Sequence, residues 1–111
     1  MQTPLQITFR NFPSSDAVEA RIRAKAAKLE EFHPRIMSCH VVVEELDRHQ
    51  KQGRQFTVRL DIRVSGHEIA IDRDHHEDIY VALRDAFNAA GRKLEEVART
   101  QRGDVKAHST P

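Results

Sequence analysis

The sequence predicts a single α+β domain with a two-layer β-α-β-β-β-α fold, in which two helices cover one face of a four-stranded sheet. Four segments alternate apolar and polar residues as strands do, and two longer segments repeat apolar residues at helical spacing. The chain has 111 residues, which is room for one core. Since each strand is apolar on one side only, both helices are expected on that same side.

The first strand is predicted over residues 5–10, before Pro13 breaks the pattern. Ser14 or Ser15 can cap the helix that follows, and Pro34 ends it. This helix is expected to be the crossover between two parallel strands. Its core stripe, at steps of three and four, is Val18, Ile22, Ala26, Leu29 and His33.

The next three strands are predicted to form an antiparallel meander. A valine-rich strand covers residues 36–45, and the polar stretch at 47–55 is a hairpin loop. Residues 56–64 alternate most cleanly, and after a tight turn the fourth strand covers residues 67–72. Short loops of this kind join antiparallel neighbours.

The second helix is predicted to begin at a capping box formed by Asp74, His75, His76 and Glu77. From Thr100 onward the chain is polar, so we predict a domain over residues 1–102 and a flexible tail over 103–111. The core stripe of this helix is Ile79, Leu83, Ala86, Phe87, Ala90, Leu94 and Val97.

Composition excludes several classes of protein. Apolar residues make up 39% of the chain, too many for a disordered protein, yet no run of them is long enough to span a membrane. The first ten residues lack the pattern of a secretory signal, and a single cysteine excludes an intrachain disulfide. These features predict a cytoplasmic protein.

No residue pattern predicts catalysis. Cys39 and His40 are neighbours in a strand, so their side chains point to opposite faces, and Cys39 is expected in the core. His75 and Asp78 could share one face of a helix, but the positions one turn beyond both histidines are not metal ligands. We expect no enzyme, metal, cofactor or small-molecule substrate; catalysis by the histidines near His75 is the lowest-ranked alternative.

Positive charge is concentrated although the chain is almost neutral, with 18 Lys and Arg against 17 Asp and Glu. On the first helix, Arg21, Lys25 and Lys28 follow one flank of the core stripe, and most acidic residues lie opposite. A solvated flank that binds nothing is the better interpretation of this helix by itself.

Basic residues elsewhere favour a phosphate backbone as partner, since Lys and Arg displace its condensed counterions. The open sheet face is predicted to lack aromatic side chains, which argues against base stacking there. The predicted RNA-binding residues are Arg21, Lys25 and Lys28 of the first helix, Arg48, Lys51 and Arg54 of the hairpin loop, and Arg84, Arg92 and Lys93 of the second helix.

The element order, the Ala-Lys-Leu-Glu-Glu-Phe end of the first helix and the segment His-His-Glu-Asp-Ile-Tyr-Val-Ala-Leu at residues 75–83 resemble the ribosome hibernation promoting factor family, also called sigma-54 modulation proteins. The resemblance implies a fold similar to double-stranded RNA-binding domains. It also implies binding to ribosomal RNA of the small ribosomal subunit, in the messenger and transfer RNA channel, which keeps ribosomes idle under stress. Lys25, Lys28 and Arg92 match basic positions of this family, and the chain resembles its short form.

Two positions depart from the family pattern, which has lysine where this chain has Ala89 and Glu96. Losing two phosphate contacts is expected to lower the salt slope of binding by about 0.7–0.9 per contact. The basic hairpin loop is expected to compensate. A divergent relative that binds another RNA or a protein partner is the alternative.

Overall fold

The computed structural model describes residues 1–46, 53–72 and 76–103. The elements follow the predicted order, and the predicted fold class is confirmed. The strands are β1 (Gln6–Arg10), β2 (Ser38–Glu45), β3 (Phe56–Val64) and β4 (His67–Asp72), and the helices are α1 (Asp16–Phe32) and α2 (Ile79–Gln101).

The four strands form one sheet in the order β1-β2-β3-β4. β1 runs parallel to β2, and the other neighbours are antiparallel, so the predicted crossover and meander are confirmed. Gly66, with φ of +81°, occupies the tight turn between β3 and β4, in the left-handed conformation that glycine adopts without steric cost.

The core lies between the sheet and the two helices. Alternate residues of β2 and β3 point into it, among them Val41 and Leu60, and meet Ile22 of α1 and Leu83 of α2. Cys39 lies in this core with 2% of its surface exposed, as predicted. Burial, with a smaller contribution from the negative charge of Asp61, raises the pKa of Cys39 to about 11, so its thiol stays protonated at neutral pH.

The ends of α1 follow the sequence closely. Ser15 is the N-cap, and its Oγ accepts a hydrogen bond from the backbone N–H of Val18 at 3.2 Å. At the other end, the N–H of His33 donates to the carbonyl of Leu29, and Pro34 then prevents continuation. Neither α1 nor α2 is long and apolar enough to cross a membrane.

The predicted capping box at the start of α2 is wrong. The N-cap is Asp78, whose Oδ1 accepts from the N–H of Tyr80 at 2.9 Å. His76 cannot begin a helix because its backbone is paired with Phe56 in an isolated bridge, with N–O distances of 2.8 and 2.9 Å. Asp74 and His75, the first residues of the predicted box, lie outside the described ranges, as do residues 104–111 of the predicted tail.

Candidate nucleic-acid interface

A groove runs between α1 and α2 on the side of the domain away from the sheet. Its rim carries Lys25, Lys28 and Phe32 from α1 and Arg92 from α2. Its floor is apolar and consists of Leu29, Phe87 and Gly91. We refer to these seven residues as the interhelix groove.

Helical spacing explains why these side chains meet. On α1, Lys28 follows Lys25 by three positions and precedes Phe32 by four, so the three share one flank. Leu29 and Phe87 are both buried and hold the helices together. Gly91 faces α1: a Cβ built on it would lie 3.9 Å from Leu29 Cδ1, an ordinary van der Waals distance. The groove therefore combines a packed floor with a basic rim.

The three basic side chains of the rim are not neutralised. Within residues 1–46, 53–72 and 76–103, no carboxylate lies within ion-pair distance of Lys25, Lys28 or Arg92. Lys28 and Arg92 are exposed, and Lys25 is half-buried. Like charges that converge without counter-charges attract anions.

Arg21 extends this basic flank toward the start of α2. Its guanidinium carbon lies 4.6 Å from the centre of the Tyr80 ring, a cation–π contact that fixes the side chain between the helices. Arg84 lies one turn before Asn88, which also lines the groove, but Arg84 pairs with Asp85 at 3.2 Å. The structure thus brings Arg21, Lys25, Lys28 and Arg92 to one side of the domain, with Arg84 partly neutralised beside them.

Other predicted RNA-binding residues lie elsewhere. Lys93 points to the other flank of α2 and pairs with Glu96 at 3.3 Å. Arg54 makes two hydrogen bonds to the Glu45 carboxylate, at 2.9 and 3.0 Å, and this partner raises the pKa of Arg54. The part of Arg54 in RNA binding, and the compensating role of the hairpin loop, stay predictions. Arg48 and Lys51 lie outside the described ranges.

The open sheet face is polar, and two of its arginines are paired with carboxylates. Arg59 pairs with Asp61 at 3.3 Å and Arg63 with Glu68 at 3.5 Å. None of the residues of β1 to β4 that point to this face is Phe, Tyr or Trp, as the sequence predicts. His40 lies on this face, 2.9 Å from Thr8 Oγ1 and across the sheet from the buried thiol of Cys39.

Sequence reasoning missed the exposed aromatic residue on the groove rim. Phe32 was not assigned to any site, yet 68% of its surface is exposed. The available signal was its spacing: Phe32 falls outside the core stripe of α1 and one turn after Lys28. In the described part of the chain, no three His, Cys, Asp or Glu side chains gather in a way that could hold a metal ion.

Comparisons with known proteins agree with this fold. Residues 5–102 match the family described as sigma 54 modulation protein / S30EA ribosomal protein. A ribosomal subunit interface protein from Coxiella burnetii has a similar structure, with a TM-score of 0.71, 15% identity, and coverage of 85% of this chain and 96% of that one. The Protein Y N-terminal domain of Thermus thermophilus is also similar, with a TM-score of 0.68, 16% identity, and coverage of 83% of this chain and 94% of that one. No curated protein sequence matches.

Proposed function

The chain belongs to the sigma 54 modulation protein / S30EA ribosomal protein family, and from this premise we propose that it is a ribosome-associated translation inhibitor. It binds the small ribosomal subunit in the channel for messenger and transfer RNA, and it keeps ribosomes idle under stress. The observation that carries the proposal is the unneutralised basic rim of the interhelix groove.

Ribosomal RNA fits this rim because its phosphates are densely and regularly charged. Lys25, Lys28 and Arg92 can each replace condensed counterions on the RNA, and Arg21 lies on the same side. Release of those counterions favours binding, and four contacts give a salt slope of about 3. The protein acts by occupying space, so the proposal requires no nucleophile, base or cofactor.

The departures at Ala89 and Glu96 change how α2 takes part. Ala89 is buried at 8% exposure, and Glu96 pairs with Lys93. That flank of α2 therefore supplies no free positive charge, and α2 contributes mainly through Arg92. We propose that the groove, rather than the length of α2, carries the interaction, with a weaker salt dependence than a fully basic α2 would give.

Sedimentation with ribosomes and with isolated small subunits at two salt concentrations tests the proposal. The double variant Lys25→Glu/Lys28→Glu is expected to lose at least about 100-fold in affinity, since it reverses two phosphate contacts. Arg59→Glu/Arg63→Glu makes the same change in net charge on the open sheet face and is the matched control. Normal sedimentation of the Lys25/Lys28 variant, or equal losses in both variants, would contradict groove binding.

A second candidate is a divergent family member that binds another RNA or a protein. The pairing of Glu96 with Lys93, at a position where the resemblance implies lysine, favours it. This candidate predicts no binding to ribosomes even at low salt. Retained affinity for another partner, lost again in Lys25→Glu/Lys28→Glu, would then identify the groove as its binding site.

A further inference from the structure

Phe32 occupies an unusual place for an apolar side chain. It is the last residue of α1, and among the large apolar side chains of the described ranges it alone is exposed. The ring borders the interhelix groove on one side. On the other it borders a depression with an apolar wall that includes Ile36, Val64 and Leu94. An aromatic side chain therefore lies open to solvent at the edge of the basic rim.

A single exposed apolar residue is common and by itself indicates nothing. The position of Phe32 is what matters, because Lys28 precedes it by one helical turn and Arg92 faces it across the groove. A ring beside cations that lack a counter-charge is the combination that proteins use for single-stranded nucleic acid. The cations follow the phosphates and the ring stacks on a base.

We propose that the interhelix groove binds an unpaired nucleotide of RNA. The Phe32 ring stacks on its base, while Lys25, Lys28 and Arg92 bind the flanking phosphates. A base inside a duplex is stacked on both faces by its neighbours, so the ring can reach only a base at an end, in a bulge or in a loop. This inference rests on the proposed function and names what the site recognises.

Base stacking is expected at the interhelix groove and not at the open sheet face. The open sheet face has no Phe, Tyr or Trp among its strand residues, and Arg59 and Arg63 on this face are paired with acidic neighbours. The groove offers both a free ring and free cations, and the polar side chains of His33 and Asn88 line it as well. Stacking is therefore expected at the helices.

Substitution of Phe32 separates stacking from charge. Phe32→Ala is expected to weaken ribosome binding by about 5- to 150-fold, the range for loss of one stacked base. The salt slope should stay unchanged, because no phosphate contact is lost, whereas Lys28→Ala should lower the slope by about 0.7–0.9. The melting temperature of Phe32→Ala should match that of the parent, because the ring is 68% exposed.

Two more variants test whether the planar ring matters. Phe32→Tyr should keep affinity within about threefold, whereas Phe32→Leu should bind as weakly as Phe32→Ala, since leucine cannot stack on a base. Full affinity in Phe32→Leu would mean that the ring contacts an apolar part of a ribosomal protein, which overturns the inference. Full affinity in Phe32→Ala would overturn it too and leave the proposed function standing.

A direct optical test does not depend on ribosomes. The chain contains no tryptophan, so Phe32→Trp introduces a single reporter. A single-stranded RNA oligonucleotide should quench its fluorescence, and the same oligonucleotide in a blunt duplex should quench far less. Equal quenching by both, or none by either, would overturn the inference. If the parent fails to bind ribosomes while the single strand still quenches, the proposed function falls and the nucleotide site stands.

Discussion

The interhelix groove and the open sheet face both carry basic side chains, yet they differ in what those side chains contact. On the sheet, antiparallel register places Arg63 directly opposite Glu68, and the two pair at 3.5 Å. In the groove, two separate helices bring Lys25, Lys28 and Arg92 together with no acidic partner in the described ranges.

The number of basic residues therefore does not define an anion-binding surface. A chain with a formal net charge of +1 can still present one, provided that its acidic residues neutralise the other basic residues. Here Glu19, Glu45, Asp61, Asp85 and Glu96 do so for five basic residues outside the groove rim. In the described ranges, the basic residues without such a partner include Lys25, Lys28 and Arg92, which helix packing brings together in the groove.

Substitutions in the groove floor and on the open sheet face are expected to differ most in how far they lower the free energy of unfolding. Phe87 is part of the main core, so Phe87→Ala should lower the free energy of unfolding by about 3–5 kcal/mol. Val42 is also buried but lies on the open face under polar neighbours, so Val42→Ala should cost about 1 kcal/mol. Urea denaturation measures both values. Similar losses would mean that the two surfaces are equally integral to the core.

The next prediction concerns the pH dependence of stability, which the buried Cys39 and the nearby Asp61 on the open sheet face influence. The pKa of Cys39 is raised to about 11 from 9.0, so the native state keeps a proton that the unfolded state loses. This stabilisation is full below pH 9 and decreases toward pH 11, by about 2 kcal/mol. In urea denaturation from pH 8 to 11, the free energy of unfolding should decrease less for Cys39→Ala than for the parent. Identical pH slopes in the variant and the parent would refute this assignment.

Arg92 and Lys93 are adjacent in α2 but are expected to differ in their contribution to binding. Arg92→Ala should weaken ribosome binding about tenfold and lower the salt slope by about 0.7–0.9, because one free phosphate contact is lost. Lys93→Ala should change affinity less than about twofold, since Lys93 lies on the other flank and pairs with Glu96. Titrations at three salt concentrations measure both quantities. A larger loss of affinity in Lys93→Ala than in Arg92→Ala would mean that the ribosome contacts the flank of α2 that carries Lys93, not the groove.

The smallest effect concerns two glycines. Gly91→Ala in the groove should raise the free energy of unfolding by about 0.5–1 kcal/mol, because its Cβ meets only Leu29 at an ordinary distance. Gly66→Ala should lower it by about 1 kcal/mol, because φ is +81° there. Thermal denaturation distinguishes the two signs. Destabilisation by Gly91→Ala would show that α2 can approach α1 closely only when residue 91 has no side chain.

Most of the fold could be predicted from the sequence because its signals are local. The alternation over residues 56–64 fixes which side of β3 is buried, and the serines at 14 and 15 together with Pro34 indicate where α1 begins and ends. The start of α2 could not be predicted in the same way. It depends on the pairing of His76 with Phe56, a contact between residues far apart in sequence.

The candidate site could be predicted only in part, for the same reason. Helical geometry alone places Lys25 and Lys28 on one flank of α1. That Arg92 faces them is a result of helix packing, which spacing within one helix cannot give. The spacing of Phe32 outside the core stripe indicated that it could be exposed, but a single exposed apolar residue is common and does not by itself identify a site.

The parallel pairing of β1 with β2 has a consequence for the order of folding. In the meander from β2 to β4, at most about ten residues separate successive strands, whereas Ile7 meets Val41 only after the whole of α1 has been folded back across the sheet. Closing so long a segment has the largest entropic cost among the strand pairings, so we expect the pairing of β1 with β2 to form last. Since α1 carries Lys25 and Lys28, the proposed binding site is expected to be complete only after this final step. A bound ribosome should therefore slow hydrogen exchange in β1 and α1 more than in β3 and β4.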